Sequence, residues 1–274
     1  MMPFIVGRNF KECQLPEYLE PYWSLLNTCL IPQINRMIPS DLGKVYYLTI
    51  QESWVEGGVS QRRPGLHVDS PGRVKIKGED VDDQNLEGEG KSQEYHGHPW
   101  GRGCAHSLRD GVYAMQGGIY LASSVSDSCR AWNCSVDPDI IGTLGDVEYL
   151  RGFLPSDGEV LKPGQLYWIT DKTPHESLPL KERTYRQFFR LVTADVSLWY
   201  KDHSTANPLG VDPDPAVTKI VAGDKFSDEG VEIIEHSPEA IEKREKFMKE
   251  FLEAGDDKPS HVKTKSKSSK CTVG

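Results

Sequence analysis

The sequence contains no long hydrophobic run and no excess of basic charge. Its mean hydropathy is −0.52 over 274 residues, and no stretch of about 18 apolar residues is present that would span a membrane as a helix. Lys and Arg number 32 against 41 Asp and Glu, which gives a formal net charge of −9. Because nucleic-acid binding requires a basic surface, we expect neither a membrane span nor a nucleic-acid partner.

A cysteine pattern typical of zinc sites and a secretory signal are also missing. None of the six cysteines forms a CxxC pair. The N-terminal residues have no basic region before an apolar stretch, and Lys11 and Glu12 interrupt the hydrophobic residues early, unlike a signal peptide. We therefore expect a cytoplasmic protein with reduced thiols.

Charge is distributed unevenly along the chain. Residues 258–274 contain five lysines and no acidic residue, whereas residues 79–94 contain seven acidic residues and one lysine. Neither segment has enough apolar residues to pack into a core. We predict a single folded domain over residues 1–255 and a disordered, lysine-rich tail over residues 256–274. The acidic segment is predicted to be a long loop that acts as a lid.

The hydrophobic pattern predicts a mainly β protein with a helical segment at each end. Residues 16–38 indicate helices interrupted at Pro21 and Pro32. Short runs rich in Val, Ile, Tyr, Phe and Trp then follow, separated by Gly, Pro and Asp, as in a β-sandwich or barrel. Near the end, Ser237, Pro238 and Glu239 begin a helix that ends at Gly255.

The run at residues 65–70 contains a His-x-Asp pair, His67 and Asp69. Side chains two apart in a strand point to the same face, so a nitrogen and an oxygen ligand are available to one metal ion. A third candidate ligand, His175, follows a predicted strand and turn 106 residues after Asp69. Two histidines and one carboxylate would occupy one face of an octahedron and leave three positions open, as in non-haem Fe(II) oxygenases.

A candidate anion-binding residue lies 11 positions after His175. Residues 184–191 alternate as a strand, which places Arg186, Phe188 and Arg190 on one face. A guanidinium group binds a carboxylate through two parallel hydrogen bonds. The sequence favours Arg186 for this role, with Arg183 and Arg190 as alternatives.

Together, His67, Asp69, His175 and Arg186 resemble the signature of the Fe(II)/2-oxoglutarate-dependent oxygenases over about residues 44–195. The phytanoyl-CoA hydroxylase-like branch is the more similar one. The resemblance implies a double-stranded β-helix, a jelly-roll or cupin-like barrel, with flanking helices. It also implies Fe(II) held by His67, Asp69 and His175, with 2-oxoglutarate and O₂ as co-substrates. Arg186 would bind the far carboxylate of 2-oxoglutarate, and a small organic molecule would be hydroxylated or oxidised. Where the plant-type subgroup has a serine two residues after the arginine, this chain has Phe188.

Two other functions remain open at the level of sequence. A cupin-type metalloenzyme is suggested by His96 and His98, although the next acidic residue, Asp110, is not the glutamate that follows in cupins. A non-catalytic β-barrel that binds a ligand is the second alternative, because a fold alone does not establish function.

Overall fold

The computed structural model of the protein describes residues 1–34, 41–72, 99–107, 113–224, 226, 232–234 and, near the C-terminus, 237–239, 241, 242, 245, 246 and 249. The chain forms two compact units, Met1–His236 and Ser237–Gly274. In the second unit, every described residue from 238 onwards has helical backbone. Among the described residues, no helix is long and apolar enough to cross a membrane.

The first unit is built mainly from β-strands, which confirms the predicted mainly β class. In chain order the strands are β1 (Met2–Ile5), β2 (Val45–Val55), β3 (Cys104–Ser107), β4 (Tyr113–Gln116), β5 (Ile119–Ser123), β6 (Cys129–Ala131), β7 (Glu159–Val160), β8 (Tyr167–Ile169), β9 (His175–Ser177), β10 (Thr184–Val192), β11 (Leu198–Tyr200), β12 (Lys219–Ala222) and β13 (Glu232–Ile234).

Two of the sheets are important for the candidate site. The larger sheet is antiparallel, with the strand order β1-β2-β10-β5-β8, and the smaller has the order β7-β6-β9. The strands β2 and β10 pair over nine residues, from Thr184 opposite Val55 to Val192 opposite Tyr47. These long central strands are rich in aromatic and β-branched residues, which suit a pleated and half-buried surface.

A helical segment covers one face of the larger sheet. A 3₁₀-helix, Glu17–Tyr22, leads directly into α1 (Trp23–Ile34). Leu26 and Leu30 of α1 pack in one buried cluster with Phe4, Phe189 and Leu191 of the sheet. Pro21 lies within the 3₁₀-helix, near its junction with α1. The prediction that Pro32 interrupts the helix is wrong, because α1 continues through this residue to Ile34.

The strand β10 presents different chemistry on its two faces. Phe189 and Leu191 lie in the cluster under α1, whereas Arg186, Phe188 and Arg190 line a cavity on the opposite side of the sheet. This arrangement follows from the period-two alternation of side chains along a strand. The predicted common face of the three cavity residues is therefore confirmed.

Candidate functional site

A cavity of about 50 Å³ lies between the larger and the smaller sheet. The larger sheet contributes Leu121, Arg186, Phe188 and Arg190. The smaller sheet and the segment before residue 70 contribute the remaining lining residues, which are Arg62, Arg63, His67, Asp69, Cys129, His175 and Ser177. All four residues predicted from the sequence, the His-x-Asp pair, the distant histidine and Arg186, thus lie around one cavity.

The two histidines are brought together by backbone pairing between distant segments. His67 forms an isolated antiparallel bridge with His175, the first residue of β9, and the two backbone N–H groups donate to each other's carbonyls at 3.0 and 2.9 Å. The centroids of the two imidazole rings are 4.5 Å apart. Within residues 65–70 only His67 forms such bridges, to His175 and to Asp146, so the continuous strand predicted there is wrong. Gly65, at φ +79°, takes the chain out of extended geometry just before His67.

Each imidazole is oriented by a hydrogen bond to the backbone two residues earlier. His67 Nδ1 lies 2.8 Å from the Gly65 carbonyl oxygen, and His175 Nδ1 lies 2.9 Å from the Thr173 carbonyl oxygen. Because a carbonyl only accepts, both Nδ1 atoms carry a proton. Burial, reinforced by the neighbouring His175, lowers the pKa of His67 to about 3. At neutral pH its Nε2 lone pair is therefore free for a ligand.

Asp69 has one engaged and one unengaged carboxylate oxygen. Its Oδ1 accepts a hydrogen bond from Arg190 Nη2. Its Oδ2 is buried and has no hydrogen-bond partner among the described residues, and it lies 3.6 Å from His175 Nε2. Burial alone would raise the pKa of Asp69, but the neighbouring charged groups, of which Arg190 has the largest effect, together outweigh burial and lower the pKa. The carboxylate is thus ionised.

The three side chains carry suitable donor atoms but do not form a finished metal centre. Within the described residues, no three His, Cys, Asp or Glu side chains are grouped closely enough to surround a metal ion. Asp69 Oδ2 and His175 Nε2 are 3.6 Å apart, which is longer than a hydrogen bond. The two atoms are therefore not hydrogen-bonded to each other. Two imidazoles and a carboxylate oxygen without a hydrogen-bond partner, all lining one cavity, are a donor set that fits a divalent transition metal.

Arg186 is buried without an anionic partner. Its side chain is 0% exposed. Its Nε donates to Ser123 Oγ at 3.1 Å, and its Nη1 and Nη2 have no hydrogen-bond acceptor among the described residues. Ser123 lies on β5, opposite Phe188 of β10, so a hydroxyl group reaches the guanidinium from the neighbouring strand. Burying an unpaired guanidinium is costly, so its two terminal nitrogens are available to an anionic ligand.

The other two candidate arginines are already engaged. Arg183 is exposed, donates to Glu56 at 2.9 Å, and lies 4.3 Å over the Trp54 ring, outside the cavity. Arg190 lies in the cavity but pairs with Asp69. Of the three, only Arg186 combines complete burial with unpaired terminal nitrogens.

A polar bridge outside the cavity connects the two histidine-bearing segments. The backbone N–H of Leu66 donates to Glu148 at 2.7 Å. Arg151 Nη2 contacts both Glu148, at 3.0 Å, and the buried Glu176, at 2.8 Å. Leu66 precedes His67 and Glu176 follows His175, so the bridge joins the two segments that carry the histidines. Only Glu148 and Arg151 are close in the chain, so the sequence offers no signal for the bridge as a whole.

A larger cleft elsewhere in the first unit lacks the histidines of the smaller cavity. It encloses about 500 Å³, and its described lining includes three glycines and six charged side chains, among them Asp171. Its Lys44 pairs with Asp41 at 2.6 Å and its Arg102 with Asp195 at 3.4 Å. None of its described lining residues is a histidine. The smaller cavity is therefore the better candidate for a reaction site.

Several sequence-based predictions lie outside the described residues. These are His96, His98 and Asp110 of the cupin alternative, the acidic segment 79–94 with its predicted lid role, and the lysine-rich tail from residue 256. Comparisons with protein-family models, curated proteins and solved structures returned no match to this chain. The functional argument therefore depends on the cavity itself.

Proposed function

We propose that this protein is an Fe(II)- and 2-oxoglutarate-dependent oxygenase that oxidises a small organic substrate. The observation that carries the proposal is the orientation of both imidazoles. His67 and His175 each donate Nδ1–H to a backbone carbonyl, the arrangement found in metal-binding histidines. Their free Nε2 atoms lie in the same cavity as the unpartnered Oδ2 of Asp69.

Arg186 supports the choice of co-substrate. A buried guanidinium with two unpaired terminal nitrogens suits bidentate binding of a carboxylate. We assign Arg186 to the far carboxylate of 2-oxoglutarate. The position two residues after it is Phe188 rather than a serine, and the hydroxyl group that contacts the guanidinium comes from Ser123. A cavity of about 50 Å³ holds only a few water molecules, so side chains of the cavity wall must move outward when the co-substrate binds.

The arrangement of the sheets is compatible with the proposed double-stranded β-helix. A jelly roll of this kind is built from two sheets. Here the metal-binding candidate His175 begins a strand of the smaller sheet, while Arg186 belongs to the larger sheet. The barrel assignment is part of the proposal.

In the proposed reaction, the chain contributes geometry and electrostatics. Bound iron supplies the oxidising chemistry together with O₂ and 2-oxoglutarate. The backbone bridge between His67 and His175 holds the two histidines side by side. Arg190 holds one oxygen of Asp69 and leaves the other free. Phe188 and Leu121 give the cavity wall apolar surface that limits the access of water.

A non-catalytic anion-binding barrel is the second candidate. The observation that favours it is the contact between Asp69 and Arg190, which already neutralises the only carboxylate among the described residues that line the cavity. In such a protein Asp69 would position Arg190 rather than bind a metal. The two candidates differ in whether the protein binds iron.

Equilibrium dialysis against Fe(II) without oxygen tests the proposal. We expect the wild-type protein to retain a single iron ion per chain and His175→Ala to lose it. His203→Ala is the matched control, because His203 lies in a 3₁₀-helix outside the cavity and near Asp224, and it should bind iron as the wild type does. Equal iron retention by His175→Ala and the wild type would exclude the metal site.

A further inference from the structure

The cavity contains more positive charge than the proposed reaction uses. Four arginines line it, Arg62, Arg63, Arg186 and Arg190, against one carboxylate, Asp69. Cys129 does not add negative charge, since burial raises the pKa of its thiol to about 12. Charges enclosed in a cavity are screened only weakly by solvent. Each arginine therefore needs a partner close by.

Two of the four arginines have such partners. Arg190 pairs with Asp69. Arg63 donates to the Leu144 carbonyl oxygen at 2.6 Å and lies 3.9 Å from Asp146. The proposed function gives Arg186 a carboxylate of 2-oxoglutarate. Arg62 is then the only one of the four without an assigned anion.

Arg62 is held in place by neutral groups. Its Nη1 donates to the side-chain oxygen of Gln51 at 3.2 Å. Its guanidinium carbon lies 5.4 Å from the centre of the Phe188 ring, and that of Arg186 lies 5.0 Å from the same ring. No carboxylate among the described residues forms an ion pair with Arg62. Burial, followed by the charge of Arg190, lowers the pKa of Arg62 to about 10.

We propose that Arg62 binds a carboxylate of the substrate, so that the oxidised molecule is a small organic acid. The assignment rests on the proposed function, because it takes Arg186 to be occupied by 2-oxoglutarate. The Phe188 ring contacts the guanidinium groups of both Arg62 and Arg186. The two groups therefore lie at separate places on the cavity wall, and two anions can be bound side by side. A carboxylate is favoured over a phosphate ester because the cavity is small and the fork of a guanidinium matches a planar carboxylate.

The test compares acids with amides of the same length. Protein with Fe(II) and saturating 2-oxoglutarate is titrated calorimetrically, without oxygen, with straight-chain carboxylic acids from acetate to octanoate and with the matching amides. We expect at least one acid to bind about tenfold or more tightly than its amide, as for loss of a charge-assisted hydrogen bond. Arg62→Met should remove this preference. Arg183→Met, which removes an exposed arginine outside the cavity, should retain it.

Each outcome bears on the inference. No preference for acids at any length, or a preference that survives in Arg62→Met, would overturn it. An Arg62-dependent preference for alkyl phosphates over the acids would overturn the carboxylate assignment. The absorption band of the iron–2-oxoglutarate chelate, recorded first, separates the two proposals. A band without acid preference overturns only the substrate class, whereas no band removes the oxygenase proposal.

Discussion

At the scale of single residues, the site consists of histidine, aspartate and arginine side chains that line one small cavity. The sequence was sufficient to predict which residues meet, since His67, Asp69, His175 and Arg186 all line one cavity. It was not sufficient to predict their neighbours. The contact of Ser123 with Arg186 depends on the register of β5 against β10, and a single sequence does not contain that register.

Replacing Arg186 tests the unpaired guanidinium. Arg186→Met should weaken 2-oxoglutarate binding by about 10- to 100-fold, because a bidentate charged contact is lost. The unliganded variant should be no less stable than the wild type, since an unpaired buried charge is removed. Both effects are measured by anaerobic calorimetry and by thermal unfolding. Arg183→Met is the control and should leave co-substrate binding unchanged; equal weakening in the two variants would contradict the assignment.

At the scale of elements, the metal-ligand candidates depend on an irregular segment. The sequence predicted a strand over residues 65–70, but the structure has isolated bridges and close backbone packing there. Val68 donates its N–H to the Gly145 carbonyl at 2.8 Å. Gly145 has a φ of +79°, and a Cβ there would lie 2.6 Å from the Ser70 carbonyl oxygen and even closer to that of Val68. The backbone on both sides of Asp69 thus packs against Gly145 and leaves no room for a Cβ atom at that position.

Substituting this glycine should disturb Asp69 from a distance. Gly145→Ala is expected to lower both the free energy of unfolding and the affinity for Fe(II), because the new methyl group displaces residues 68–70. Gly164→Ala is the matched control: its φ is +72°, but nothing lies within 4 Å of its added Cβ. Both variants share a backbone strain of roughly 1–2 kcal/mol. Urea unfolding and iron dialysis should show a larger loss for Gly145→Ala; equal losses would contradict the packing argument.

At the scale of the whole molecule, local patterns predicted the class of fold better than its assembly. Runs rich in aromatic and β-branched residues marked β2, β5, β8 and β10 correctly, because strands of this kind carry a local signal. The strand order β1-β2-β10-β5-β8 depends on contacts between segments far apart in sequence. The overall charge of −9 also gave no indication of a cavity rich in arginine, since net charge averages over the surface.

Every residue assigned a role lies in the first compact unit, Met1–His236. A chain ending at His236 should therefore bind Fe(II) and 2-oxoglutarate with the affinity of the full-length protein. Calorimetry on both proteins, after their folding has been compared by circular dichroism, measures this directly. Loss of binding by a folded shorter chain would show that residues after 236 contribute to the site.

The most direct test of the central claim is anaerobic titration of the purified protein with Fe(II) and 2-oxoglutarate while visible absorption is recorded. If His67, Asp69 and His175 hold iron, and Arg186 the far end of the co-substrate, a charge-transfer band develops that needs both components. The band is absent in His67→Ala and present in His203→Ala. Absence of the band from the wild-type protein, or its persistence in His67→Ala, would contradict the account.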